Sequence, residues 1–218
     1  MRVSRAALTA NARLAWESGL RSYDPAILEA DAWGHGETLV REVLEQEGFE
    51  PHAPLDLAPA GDPAAAPSGV LAAPALLGLP GGGSPVVPVM RLTGTVLSVK
   101  DLRAGEGVSY GYAYRAPADT RVALVTGGYA QGIVRALGGR VDVAIAGERH
   151  PIVGRVAMDV CVVEIADAAV QRGDLVVFLG DPARGEPSLD AWVRVTGLTA
   201  GELTTTIGLR AFLEEDGS

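Results

Sequence analysis

The chain has 218 residues, 48% hydrophobic and 21% charged, so it is long enough to bury a core and reads as a globular protein. Its 27 acidic side chains against 18 basic ones give a net charge of -9. This balance argues against nucleic acid as a partner, because binding to phosphates relies on clustered lysine and arginine. The single cysteine, Cys161, excludes an internal disulfide and a multi-thiolate metal site.

No apolar run approaches the roughly 20 residues of a membrane span, and the first residues lack the apolar core of a signal peptide. We therefore expect a cytoplasmic protein without a membrane partner. Lys100 is the only lysine in the sequence. A mechanism that needs a Schiff-base amine must use Lys100 or the N-terminus.

The first part of the chain predicts a small α/β fragment. Residues 4–19 have the apolar spacing of an amphipathic helix, with Ser4 as its N-cap. An extended piece is predicted at 25–30, and a glycine-containing loop at 31–36. A second helix follows and ends at Gly48. Its apolar face consists of Leu39, Val40, Val43 and Leu44.

A change of composition marks the predicted domain boundary. Residues 51–85 contain eight prolines, nine alanines and six glycines, too few large apolar residues for regular elements. This stretch is interpreted as a linker in which residues 76–79 (LLGL) dock locally. The predicted organisation is a fragment over 1–50, the linker, and a β domain over 86–218.

The β domain is predicted from short apolar runs of period two, separated by turn sequences. Eight strands at this spacing indicate a mainly β domain, either a barrel or a sandwich, with one helix at 199–206. The predicted strands are 86–99, 108–114, 121–125, 140–146, 151–156, 160–165, 175–179 and 191–195.

Simple ligand motifs are missing from the sequence. The glycine-rich GLPGGGS lacks the lysine and hydroxyl residue that follow in a phosphate loop. None of the histidines has neighbours at metal-ligand spacing, so no metal site is expected. These histidines are His35, His52 and His150.

Three motifs carry a resemblance to a known family. The sequences VSYGYAY (108–114), GGYAQGIVRAL (127–137) and PIVGRVAMDVCVVEI (151–165) resemble the C-terminal β domain of alanine racemase, in the same order and spacing. The first fifty residues resemble the start of that family's barrel. There, EADAWGHG stands where the family usually has KADAYGHG, so Glu29 occupies the lysine position.

The resemblance implies amino-acid racemisation with pyridoxal phosphate bound in a (β/α)8 barrel. The barrel lysine works on one face of Cα, and a tyrosine from the other subunit's β domain works on the opposite face. Tyr110 matches that catalytic tyrosine. The resemblance implies substrate-binding roles for Met158, near the substrate carboxylate, and for Tyr129, Arg135 and Arg155 at the active-site entrance.

The departures from the family concern the cofactor. A (β/α)8 barrel takes roughly 250 residues, whereas 87 residues precede the matching region, so no complete TIM barrel is expected. Glu29 cannot form a Schiff base, a family tyrosine that helps to hold the phosphate falls at about Gly201, and Gln131 stands where aspartate is common. No bound cofactor is therefore expected for this chain alone.

The residue types alone favour structural roles. A tyrosine in a strand is more often a packed ring than a base, and its ordinary pKa of about 10 is far above neutrality. Arg135 and Arg155 read as solvated surface residues, and Met158 and Cys161 as core residues.

Three hypotheses remain open. In the first, the chain is an alanine racemase-like protein that neither binds pyridoxal phosphate nor racemises alone, and acts by association with itself or another chain. In the second, it contributes Tyr110 in trans to a partner's complete racemase barrel, as part of a pyridoxal phosphate-dependent isomerase. In the third, it is a remnant without a function.

Overall fold

A computed structural model describes residues 1–52, 69–83 and 85–216, apart from the side chains of Tyr110 and Asp216. The helices are α1 (Arg5–Glu17), α2 (Glu29–Gly34), α3 (Glu37–Gln46), α4 (Ala73–Leu77), α5 (Leu189–Thr196) and α6 (Ala200–Gly208). The strands are β1 (Arg2–Ser4), β2 (Ser22–Tyr23), β3 (Glu50–Pro51), β4 (Met90–Leu102), β5 (Gly107–Val108), β6 (Tyr114–Arg115), β7 (Thr120–Thr126), β8 (Asp142–Ile145), β9 (Glu148–Val153), β10 (Val160–Glu164), β11 (Leu175–Leu179) and β12 (Glu214–Asp216). None of the described helices is long and apolar enough to span a membrane.

The chain forms two compact units. The barrel unit is Arg91–Thr199, and the N-terminal unit combines Met1–Met90 with Ala200–Ser218.

Six antiparallel strands close the barrel unit. Their order is β4-β7-β10-β9-β8-β11, and β11 pairs back onto β4. Side chains that alternate along these strands fill the interior, including the fully buried Val125, Val143, Val163 and Val176. The predicted mainly β fold is confirmed, and of its two predicted forms the barrel is present.

One predicted strand of the barrel unit is wrong. Residues 191–195 lie inside the helix α5, which begins after Ser188 and ends at Gly197 in the left-handed conformation. The short run AWVRV is compatible with both the strand period of two and the helix period of 3.6. The helix is the form that buries the Trp192 ring, which is only 1% exposed.

The predicted strand over 108–114 is also wrong in its middle. Strands β5 and β6 form only a short hairpin, and a 3-10 turn, Tyr110–Tyr112, connects them. Ser109, Gly111 and Tyr112 have positive φ angles of 67°, 72° and 47°, which an extended strand cannot accommodate.

The N-terminal unit confirms both predicted helices. The Ser4 hydroxyl accepts a hydrogen bond from the Ala7 N–H at 3.2 Å and caps α1, and the four predicted apolar residues of α3 are buried. The two helices share a core with α4, whose Leu76 and Leu77 are fully buried. The predicted local docking of LLGL is thus confirmed, whereas the predicted linker residues 53–68 and 84 lie outside the described part of the chain.

A buried amide joins α1 to α4. The Asn11 side chain donates to the carbonyl oxygens of Leu76 (3.0 Å) and Val87 (2.8 Å), and its oxygen accepts from the Val87 N–H at 2.8 Å. These bonds satisfy an amide that is only 1% exposed. The second surface that the N-terminal helices need therefore comes from residues beyond the first fifty.

Residues 25–36 differ from both predictions made for them. The piece predicted as extended forms a 3-10 turn, Pro25–Leu28, capped by the Asp24 carboxylate. The predicted loop contains α2, in which Ala30, Asp31, Ala32 and Trp33 have φ angles between 50° and 58°. Four consecutive left-handed residues without glycine are unfavourable by about 1–2 kcal/mol each.

Contacts of this left-handed turn offset its strain. The Trp33 indole N–H donates to the Ala26 carbonyl at 3.0 Å, and the Asp31 carboxylate accepts from the Glu37 N–H at 2.7 Å. The turn also packs along α6. Sequence periodicity does not report such contacts, which is why the prediction missed this element.

Replacement of Ala30 by glycine is expected to stabilise the protein. Relief of the left-handed strain contributes about 1–2 kcal/mol, whereas the extra freedom of glycine in the unfolded chain costs about 0.4–1 kcal/mol. The exposed Ala30 side chain gives up little packing. Denaturant titration should show a gain of about 0.5–1 kcal/mol for Ala30→Gly.

The matched control is Ala10→Gly in the interior of α1, which is also exposed but has right-handed helical geometry. That variant should lose about 1 kcal/mol. An equal loss in both variants would contradict the left-handed conformation.

Candidate functional site

One segment of the barrel unit is hydrogen-bonded to the two loops that carry the other candidate residues. This central segment, residues 154–159, connects β9 to β10 and contains Arg155 and Met158. Its main-chain groups bind to the loop that begins at Gly127 and to the β5-β6 loop. The candidate residues are thus brought together by main-chain contacts, although they are distant in sequence.

The loop that carries Tyr129 is fixed on the central segment by its main chain. The Tyr129 N–H donates to the Ala157 carbonyl at 3.0 Å, and the Ala130 N–H donates to the Met158 carbonyl at 2.9 Å. Gly128 allows this approach, because a Cβ atom there would lie 2.3 Å from the Met158 carbonyl oxygen. Tyr129 and Met158 are therefore neighbours.

Gln131, which differs from the family's common aspartate, also stabilises this loop. Its side-chain oxygen accepts from the Gly128 N–H at 2.9 Å, and its amide nitrogen donates to the Asp159 carboxylate at 3.2 Å. The amide thus supplies both a donor and an acceptor, and the substitution preserves the loop.

Arg135 lies on a 3-10 turn, Arg135–Leu137, that follows the same loop. Its guanidinium carbon is 5.4 Å from the centre of the Tyr129 ring, within the range of a cation–π interaction. Both side chains are exposed. Arg135 is thus a surface residue, as its residue type alone suggested, and its guanidinium also contacts an aromatic face.

The loop of Tyr110 is tied to the central segment by a side chain. The Arg155 N–H donates to the Ser109 hydroxyl at 3.0 Å. On the other side of the turn, the exposed ring of Tyr112 lies 5.5 Å from the Arg115 guanidinium carbon. The Tyr110 side chain itself lies outside the described part of the structure, so its catalytic role stays a prediction.

Tyr114, at the end of the same hairpin, is not suited to act as a base. Burial, and secondarily the neighbouring Glu164 carboxylate, raises the pKa of its phenol to about 12. The phenol therefore stays protonated at neutral pH.

The expectation that Met158 and Cys161 are core residues is wrong for Met158. Its side chain is 54% exposed, whereas Cys161 is buried to 1% exposure. The reason is that Met158 lies on the central segment, before β10 begins at Val160. The substrate-side position implied for Met158 by resemblance stays a prediction.

Cys161 is expected to resist thiol reagents in the native protein. Burial raises the pKa of its thiol to about 12, and the thiol donates to the Gly127 carbonyl at 3.0 Å. At pH 8 only about one molecule in 10⁴ would carry the reactive thiolate. Mass spectrometry after iodoacetamide treatment should therefore show labelling only when denaturant unfolds the barrel. Rapid labelling without denaturant would contradict the buried hydrogen bond.

The position of the family's lysine carries no amine in this chain. Glu29, at the position of the family's lysine, is an exposed carboxylate, and Lys100 is exposed on β4 opposite Val122. The N-terminal amine donates to the Phe212 carbonyl at 2.9 Å. The amines of this chain are thus an exposed lysine on β4 and a hydrogen-bonded N-terminus.

Metal ligands are not clustered either. Across residues 1–52, 69–83 and 85–216, no three His, Cys, Asp or Glu side chains come together as a metal ion would require.

Sequence reasoning did not identify the residues that hold the site together. These residues are Ser109, Gly128 and Gly154. Ser109 accepts the Arg155 N–H, and the two glycines lie so close to neighbouring atoms that a Cβ atom would not fit at either position. The available signals were the glycine pair before Tyr129 and the glycine inside IVGRV, since a glycine within an apolar run often marks a close backbone approach.

Known proteins are similar to this chain over the region that contains the candidate site. Residues 89–212 match the family model for the alanine racemase C-terminal domain. The alanine racemase of Mycobacterium leprae is 43% identical over 124 residues, 56% of this chain and 32% of that protein. The alanine racemase of Thermobifida fusca is 41% identical over 123 residues, 56% of this chain and 33% of that protein. The matched region is thus about a third of the length of these relatives.

Solved structures are similar over a longer stretch. The crystal structure of alanine racemase from D-cycloserine-producing Streptomyces lavendulae is 28% identical, with a TM-score of 0.66 over 100% of this chain and 66% of that chain. Alanine racemase from E. faecalis is 33% identical, with a TM-score of 0.59 over 65% of this chain and 39% of that chain. The first of these similarities includes the N-terminal unit.

Proposed function

We propose, on the premise that this chain belongs to the alanine racemase C-terminal domain family, that it acts by association with a second chain and neither binds pyridoxal phosphate nor racemises an amino acid alone. The second chain is another copy or a separate protein. The observation that carries the proposal is the exposed Met158 side chain on a segment whose main chain is fixed.

The side chains around the central segment have the composition of a binding surface. Met158, Tyr112 and Tyr129 are 54%, 64% and 36% exposed, respectively. Arginines lie over both tyrosine rings. Tyrosine, arginine and methionine are enriched at protein interfaces, and rigid anchors bind at low entropic cost. We call Tyr112, Tyr129, Arg135 and Met158 the site face.

Charge supports an acidic partner surface. Residues 91–199 carry twelve basic and twelve acidic side chains, so the net charge of -9 arises entirely from the remainder of the chain. The site-face arginine would attract such an acidic surface, including that of a second copy. Association of this kind weakens as salt concentration rises.

The inability to act alone is argued from chemistry. Inversion of Cα needs a proton taken from one face and a proton delivered to the other. With Glu29 at the lysine position and Lys100 on β4, this chain offers a group for one face only. We expect no change in cofactor absorbance and no D-alanine when the purified chain is mixed with pyridoxal phosphate and L-alanine. Racemisation by the chain alone would contradict the proposal.

A second candidate function is contribution of Tyr110 in trans to a partner's racemase barrel. The observation that favours it is the joint attachment of the loops of Tyr110 and Tyr129 to the segment of Arg155 and Met158. In such a site the Tyr110 hydroxyl would exchange a proton at Cα. The Met158 N–H would face the substrate carboxylate, because a carboxylate accepts hydrogen bonds and the N–H is the main-chain donor of that residue.

Sedimentation velocity tests the association. The purified chain, alone and with a racemase of the family, should form a complex that weakens in high salt. Met158→Asp should reduce its affinity at least tenfold, as expected for a central apolar anchor. Leu175→Asp is the matched control, because Leu175 is 51% exposed at the start of β11. Equal effects of the two variants, or no complex at any concentration, would contradict the proposal.

A further inference from the structure

We infer that Ser109 is a positioning residue for Tyr110: its hydroxyl fixes the Tyr110 turn on the segment that carries Arg155 and Met158. This inference rests on the second candidate function, in which Tyr110 acts in a partner's site. It assigns Ser109 no contact with substrate.

The main chain of Ser109 has an unusual conformation. Its φ and ψ angles are 67° and 172°, in a region that is essentially reserved for glycine. Residues other than glycine persist there only where the surrounding structure holds them. Glycine would thus be the favoured residue if the conformation of the hairpin were the only requirement.

The serine side chain supplies what glycine lacks. Its hydroxyl accepts the Arg155 N–H at 3.0 Å and joins two residues that are 46 positions apart. Within the hairpin, the Ser109 carbonyl accepts the Tyr112 N–H at 3.1 Å. Ser109 therefore makes two bonds around Tyr110. Its hydroxyl bonds to the central segment, and its carbonyl closes the turn by bonding to Tyr112.

Gly154 makes room for this side chain. A Cβ atom at Gly154 would lie 2.2 Å from the Ser109 hydroxyl oxygen and 2.8 Å from its Cβ. Gly154 has a φ of 72°, so a side chain there would be strained as well. Ser109 and Gly154 thus form a matched pair, and the unfavourable serine conformation is retained together with its hydroxyl bond.

Two variants separate the hydroxyl from the backbone strain. Ser109→Ala removes the hydroxyl and keeps the strain, whereas Ser109→Gly removes both. The assay uses the full chain with an alanine racemase whose own matching tyrosine is replaced by alanine. With positioning, both variants lower kcat roughly 10- to 100-fold and change KM by no more than about twofold. Ser109→Gly does so although its melting temperature is unchanged or raised. Ser98→Ala, in an exposed position of β4, is the control.

Fluorine NMR supplies a readout that needs no activity. The chain has five tyrosines, so 3-fluorotyrosine labelling gives five resonances, and Tyr110→Phe assigns one of them. Loss of the hydroxyl should shift or broaden the Tyr110 resonance in both Ser109 variants. An unchanged resonance, with kcat equal to that of the wild-type chain, would overturn the inference.

The two failures are distinguishable. If the wild-type chain restores no activity, the role in trans is wrong, and the fluorine spectrum alone then decides whether Ser109 positions Tyr110. If the wild-type chain restores activity and the Ser109 variants do so equally, the role in trans stands and the inference fails.

Discussion

Tyr110→Phe is expected to abolish the ability of this chain to restore activity to an alanine racemase that lacks its own matching tyrosine. Phenylalanine keeps the ring and removes only the hydroxyl that would exchange the proton. A positioned acid–base group contributes about 10²–10⁴-fold to a rate, so the restored kcat should fall by at least about 100-fold. The measurement is D-alanine formation by a coupled assay, with this chain titrated to saturation.

The matched control is Tyr112→Phe. Tyr112 lies in the same turn, and its side chain is 64% exposed. Its ring belongs to the site face and is kept in phenylalanine, whereas its hydroxyl has no assigned role, so the kcat restored at saturation should equal that of the wild-type chain. Sedimentation must show the same complex for both variants. Restoration by Tyr110→Phe would leave association as the function and remove the acid–base role.

The second large expected effect is a loss of folding stability at low pH that is caused by His35. His35 is fully buried, and its Nδ1 lies 3.0 Å from the Ala32 carbonyl and 3.1 Å from the Trp33 carbonyl. Both partners only accept, so Nδ1 carries the proton, and the buried Nε2 has no hydrogen-bond partner among the residues that the structure describes. Burial lowers the pKa of His35 to about 4. The neutral form is therefore the one compatible with the fold.

The dependence on pH follows from the two protonation equilibria. Above about pH 6.5, the ordinary pKa of histidine, folded and unfolded chains are both neutral at this residue. Between about pH 6.5 and 4 only the unfolded chain binds the proton, so stability falls as the pH falls. The loss reaches about 3 kcal/mol. Below about pH 4 this residue adds no further dependence.

Urea titrations between pH 7 and pH 4 measure this effect. His35→Asn should be less stable at pH 7, yet lose about 3 kcal/mol less than the wild-type chain over that range. His52→Asn is a comparison outside the buried site. The same slope for the wild-type chain and His35→Asn would show that His35 does not govern acid unfolding.

Local periodicity was sufficient for the elements that bury one face. Helices α1 and α3 follow from apolar spacing, and most barrel strands from alternation, because in both cases burial is written directly into the sequence. The prediction of a strand at residues 191–195 was wrong because a five-residue apolar run satisfies both the helical and the strand period. The left-handed turn in α2 was not predicted because its conformation depends on contacts with residues that are distant in sequence.

The candidate residues came from motif resemblance and their roles stay predictions, whereas the contacts that hold them together came from the structure alone. Tyr129, Arg135 and Met158 follow from motif resemblance, and the structure places all three around the central segment. The exposure of Met158 could not be predicted, since methionine in an apolar run is usually buried. Ser109 was overlooked because its role depends on a φ angle and on a bond to Arg155, neither of which leaves a pattern in the sequence.

The pairing of β4 with both β7 and β11 bears on how such a domain can be moved between genes. Open sheet edges template aggregation, and a domain cut away from its neighbours usually exposes one. A ring of six strands has no such edge, because each of its strands is paired on both sides. A domain of this form can therefore be joined to different neighbours without exposing an unpaired strand, which favours its transfer by recombination.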